Sequence, residues 1–153
     1  MKFIVVLAIG IFPFHAFAKE TSPKVENIVS VTTAKASCAN PVGLWVNQMG
    51  SKLKIKAVDA TTGAVSGEYQ TKTGAGGWFP LNGWVNSLPP NSAKDNAKII
   101  SFSVRWGSVG SITSWSGFCR GTAEFRTVWN LGRPITDFEW DHILTGADNF
   151  APQ

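Results

Sequence analysis

From Cys38 onward, short apolar-rich runs alternate with clusters of Gly, Pro, Asn, Ser and Thr. The spacing, about eight to twelve residues, is that of an all-β sandwich or barrel. Strands are predicted over Gly43–Gln48, Leu53–Val58, Val65–Thr71, Trp78–Asn86, Ile99–Trp106, Ile112–Arg120, Ala123–Leu131 and Ile143–Phe150. Thr61-Thr62-Gly63, Thr73-Gly74-Ala75-Gly76-Gly77 and Pro89-Pro90-Asn91-Ser92 mark turns between them. No segment sustains a helical period. Short connections between successive strands predict an eight-stranded antiparallel up-and-down β-barrel, because closing the meander removes its exposed edges. Pro80 cannot donate to a ladder and belongs at a strand start or a bulge.

Residues two apart in a strand share a face. Val65, Gly67, Tyr69 and Thr71 lie together, with Glu68 and Gln70 opposite them, so the first set points inward. Ser111, Thr113 and Trp115 share another face, as do Trp129 and Leu131, with Asn130 on the reverse. An ordinary barrel interior would hold Val, Ile and Leu throughout. Here tryptophans are mixed with hydroxyls and with the only tyrosine of the chain. Inward polar groups need hydrogen-bond partners, supplied by one another or by a ligand. The chain has 7 tryptophans; Trp45, Trp78 and Trp84 are expected to pack the barrel.

Composition adds context. Lys2, the apolar run Phe3–Phe14 and Ala16-Phe17-Ala18 form a secretory signal over residues 1–18, too short to span a membrane and without stop-transfer charges. Cleavage before Lys19 implies a secreted or periplasmic protein. Residues 19–37 form a flexible N-terminal arm, and residues 38–153 the barrel domain. The net charge of +4 is spread without any basic run, so neither nucleic acid nor a membrane is an expected partner. In an exported chain Cys38 and Cys119 most simply form one disulfide; two buried free thiols are the other reading. A zinc site needs more ligands than these spacings supply. His142 is expected in an exposed loop. There is no nucleophile elbow, no zinc motif and no second histidine in the mature chain, and Glu124 and Asp148 are not both directed inward as a carboxylate pair. The chain is therefore expected to be non-enzymatic and without a cofactor.

Several segments carry a resemblance. Trp45-Val46-Asn47-Gln48-Met49-Gly50-Ser51 resembles the first strand and turn of the avidin/streptavidin family, and Gly67-Glu68-Tyr69-Gln70-Thr71 its G-x-Y-x-(S/T) segment. Pro80–Ser87 is similar to the fourth strand of that family, and Val104-Arg105-Trp106 to the end of its fifth. Ser111-Ile112-Thr113-Ser114-Trp115-Ser116-Gly117 resembles its S-x-T-x-(W/F)-(S/T)-G motif, and Thr127-Val128-Trp129-Asn130-Leu131 its T-x-W-x-L motif. Trp140 to Asp148 keeps the spacing of its last element. Together the segments span nearly all of residues 38–150.

The resemblance implies a biotin site. Asn47, Ser51 and Tyr69 would donate to the ureido oxygen, and Asp148 and Thr71 would accept from the ureido N–H groups. Thr113 would face the thioether sulfur and Ser111 the carboxylate, with backbone N–H groups at Ala75 and Gly76. Trp106, Trp115 and Trp129 would form an apolar box, with Met49 and Leu131 filling gaps. Trp140 would come from a neighbouring subunit of a homo-oligomer, a tetramer rather than a dimer. Cys38 and Cys119 match the disulfide of the egg-white branch. Biotin–streptavidin is among the tightest non-covalent complexes, so high affinity is implied too, and sequestration of biotin from competitors would be one use. Two other readings stand beside this one: a lipocalin-like carrier of another small apolar ligand, and a periplasmic protein-inhibitor barrel acting through its loops. The first would lack the clustered hydroxyls and acid; the second needs no polar interior.

Overall fold

Inward apolar residues alternating with outward, mostly polar ones give most strands one dry and one wet face. In the computed structural model, which describes residues 35–86, 96–121 and 124–153, these strands close into a barrel in sequential order, β8 returning to β1. They are β1 (Gly43–Asn47), β2 (Lys52–Val58), β3 (Ala64–Gln70), β4 (Phe79–Val85), β5 (Lys98–Arg105), β6 (Ile112–Cys119), β7 (Phe125–Gly132) and β8 (Ile143–Pro152). Every neighbouring pair is antiparallel. Short 3-10 turns at Gly107–Val109 and Glu139–His142 are the only helical elements among the described residues. The expected signal peptide lies outside those residues, as does the expected arm up to residue 34.

Alternation is clear in β2, where Leu53 and Ile55 are buried and Lys52, Lys54 and Lys56 are exposed. Pro80 is tolerated as the second residue of β4, because β5 pairs with that strand only from Leu81 onward. A bulge leaves Lys56 unpaired opposite Gly67 and Ser66. There a Cβ on residue 67 would come within 2.1 Å of the Lys54 carbonyl oxygen, so only glycine fits.

The interior has two ends. Trp45, Val65, Val85, Ile100, Cys119 and Phe125 fill one of them, with Trp45 and Phe125 ring centroids 4.6 Å apart. The Cys38–Cys119 disulfide, with Cα atoms 5.5 Å apart, ties the segment before β1 to the end of β6. Ala36, placed in the flexible arm on compositional grounds, is buried here: Gly43 lacks the Cβ that would otherwise come within 2.8 Å of it.

Two tryptophans expected in the core are not there. Trp84 is 63% exposed because Leu81, Gly83 and Val85 hold the inward positions of β4. Trp78 precedes that strand and is 41% exposed.

Candidate ligand-binding cavity

At the other end polar side chains join the inward face. Following the inward face toward it, Trp45 gives way to Asn47 on β1, Phe125 to Trp129 and Leu131 on β7, and Phe150 to Asp148 on β8. These changes open a cavity of about 380 Å³. Ser51 follows β1, Tyr69 and Thr71 come from β3 and just beyond it, and Trp106 directly follows β5. Ser111, Thr113 and Trp115 come from β6 and its approach. Register explains the aromatic wall: Trp115 pairs with Trp129, and Trp129 with Gly146. The indole of Trp129 lies where a side chain on residue 146 would stand, since a Cβ there would be 2.3 Å from the ring. Glycine at 146 is thus what lets that tryptophan lie across the wall.

Among the described residues, Asp148 is the only ionisable carboxylate or base lining the cavity, and it is buried. Asn47 Nδ2 donates to its Oδ1 at 2.9 Å, and Trp115 Nε1 to its Oδ2 at 2.9 Å. The partners of the neighbouring groups decide what each can offer a ligand. Asn47 Oδ1 already accepts from the backbone N–H of Met49 and of Ser51, at 3.1 and 2.8 Å. The group it presents is its amide N–H. Ser51 Oγ accepts from Lys72 N–H at 3.0 Å and shares a hydrogen bond with the Tyr69 hydroxyl, so one proton of the Ser51–Tyr69 pair is left to give. Thr71 is the reverse: its hydroxyl proton goes to the Thr73 carbonyl, which leaves an oxygen lone pair. Thr113 Oγ1 accepts from Trp106 Nε1 at 2.7 Å and keeps its proton. Donors and acceptors are thereby sorted before any ligand arrives.

Tyr69 packs against Trp115 at 4.8 Å and edge-on to Trp106 at 5.8 Å. Burial pushes its phenol up to about 12; a hydrogen bond with Ser51 opposes the rise and the Asp148 charge adds to it. Tyr69 therefore stays a donor through ordinary pH. The folded state keeps a proton that the unfolded chain releases near pH 10, so the linked stability is complete below that value and is lost as pH rises through about 12. Ultraviolet titration of this single tyrosine should show a native midpoint near 12 that drops to about 10 in denaturant. A native midpoint of about 10 would contradict its burial in this network.

Comparison with known proteins gives the architecture a family. The Avidin family profile matches residues 35–153. The chain belongs to the avidin family. The crystal structure of core-bradavidin superposes with a TM-score of 0.61 and 31% identity, covering 72% of this chain and 97% of that one. No match was found among the curated proteins. Membership of the avidin family supports a biotin-binding protein.

In this avidin-family barrel, the expected residues Asn47, Met49, Ser51, Tyr69, Thr71, Ala75, Trp106, Ser111, Thr113, Trp115, Trp129, Leu131 and Asp148 line one cavity. Gly76 does not; it is exposed in the connection between β3 and β4. Trp140 stands outside the cavity of its own chain, 74% exposed and stacked on Phe138 at 4.8 Å. Thr73 and Val109 also line the cavity and were not anticipated. Thr73 lies in the turn after β3, beyond the reach of strand alternation. Val109 lies in a 3-10 turn, where that rule has no force. His142 is exposed, as its sequence context suggests.

Proposed function

We propose that this chain is an exported, non-enzymatic protein that binds biotin with high affinity in the open end of its barrel and sequesters it from competing organisms. The observation that carries the reading is the sorting of donors and acceptors inside one tryptophan-walled cavity. A ureido group presents one oxygen with two lone pairs and two N–H donors. Asn47, Ser51 and Tyr69 offer hydrogens to the oxygen, while Asp148 and Thr71 offer lone pairs to the N–H groups. The Asp148 bond is charge-assisted and hence the strongest of the set. Trp106, Trp115 and Trp129 enclose the bicyclic ring, with Met49 and Leu131 beside them. Thr113 gives its proton toward the sulfur, and Ser111 and the Ala75 backbone N–H meet the carboxylate. Because the protein's own hydrogen bonds hold these groups in place, little ordering is left for the ligand to impose.

In this reading the chain assembles as a homotetramer through its outer barrel face, and Trp140 closes a neighbour's cavity. Exposure of Trp84 and Trp140, aromatic groups of a kind enriched at interfaces, supports that assembly. Light scattering of the mature protein should give a mass of four chains; a mass of two chains would count against Trp140 acting from a neighbouring subunit. The decisive experiment is a biotin titration followed by tryptophan fluorescence and thermal midpoint. Stoichiometric quenching or shift of the emission and a raised midpoint are expected. If saturating biotin leaves both unchanged, the reading is wrong.

A further inference from the structure

We propose that Gln48, which does not line the cavity, is a positioning residue that holds Asp148 in its binding geometry. The seam that closes the barrel is short: β1 pairs with β8 only over Trp45–Asn47, opposite Pro152–Phe150. Asp148 lies just past the end of this ladder, where β8 is paired with β7 through Thr127 but has lost its β1 partner. After Asn47 the backbone turns away, with Gly50 N–H donating to the Asn47 carbonyl at 2.9 Å. The side chain of Gln48 continues where the backbone stops. Its Nε2 donates to the Ala147 carbonyl at 3.2 Å, and its Oε1 accepts from Asn149 N–H at 2.9 Å. A primary amide carries the same donor and acceptor as a peptide group. Gln48 therefore supplies one more rung to the ladder, gripping β8 on both sides of residue 148. The same Nε2 lies 3.4 Å from Asp148 Oδ1, the oxygen that also accepts from Asn47. Backbone and carboxylate are thus held by a single amide.

The affinity consequence rests on the biotin reading; the geometric consequence does not. Gln48→Ala should speed biotin dissociation about tenfold, the size of one hydrogen bond to a charged group. Introduced into Asp148→Ala, the same change should add nothing, because the group it positions is gone. In ligand-free protein the Trp115 indole N–H, which donates to Asp148 Oδ2, should shift in the NMR spectrum of Gln48→Ala. Gln48→Met, of similar length but without the amide, should reproduce all three results and replaces Gln48→Ala if the latter fails to fold. An unchanged dissociation rate, equal penalties in the two backgrounds, or an unmoved Trp115 resonance would each overturn the proposal. If the unaltered protein does not bind biotin, the proposed function falls, and the indole resonance alone still decides whether Gln48 positions Asp148.

Discussion

Asp148→Ala should weaken biotin binding by about 2–5 kcal/mol, the usual cost of truncating one partner of a buried charged hydrogen bond. That corresponds to roughly thirtyfold to a few-thousandfold in affinity. The loss has two parts. One ligand N–H loses a carboxylate acceptor, and two protein donors, Asn47 Nδ2 and Trp115 Nε1, lose the oxygens they now reach at 2.9 Å. Each buried donor left unpaired costs about 1–3 kcal/mol, partly recovered if water enters the vacated space. Asp148→Asn should do less harm, because it keeps the shape and one acceptor while giving up the charge. The effect should appear mainly in the dissociation rate, as affinity changes at one interface generally do. Thermal midpoints of the ligand-free variants separate lost binding from lost folding. Equal biotin affinity for the alanine variant and the parent would remove Asp148 from its assigned role.

The parts of the barrel legible in the sequence are those governed by local periodicity. Leu53 and Ile55 between lysines, or Phe102 and Val104 between serine and arginine residues, state which face is dry. The site was legible for a different reason. Asn47 and Asp148 hydrogen-bond across 101 positions, a pairing no periodicity reveals; only their match to a known motif brought them together. Trp84 shows where residue type misleads. Its bulk suggested the core, yet its neighbours at 83 and 85 occupy the inward positions, and parity overrides hydrophobicity in a strand. The burial of Ala36 depends on the missing Cβ of Gly43 and on a bond to a cysteine 81 positions beyond Cys38. A polar composition around Ala36 could not disclose either. Gln48 was visible within a motif, but its role emerges only from the exit of the backbone at the seam.

Breaking the Cys38–Cys119 bond should cost the folded protein about 4.5 kcal/mol on chain-entropy grounds, since a closed loop of this length restricts the unfolded chain strongly. The linked cysteines are 81 positions apart, so the loop takes in β1 to β6. The segment before β1 has a few other ties, among them Ser37 N–H to the Asn40 carbonyl, Trp45 Nε1 to the Pro41 carbonyl, and Ala36 against Gly43. These belong to the filled end of the barrel, and the cavity lies at the other. Replacing both cysteines by serine should therefore lower the thermal midpoint by roughly 10–20 °C in a domain of this size, while biotin dissociation from protein still folded should change little. The two effects can be told apart by adding ligand. Biotin at about a thousand times its Kd contributes about 4.1 kcal/mol to the folded state by mass action, nearly the amount the bond supplied. The double-serine variant should thus regain most of its lost midpoint with biotin. An unaltered midpoint without ligand would show that the bond adds little to stability, and a large change in dissociation rate would show that the two ends of the barrel are coupled.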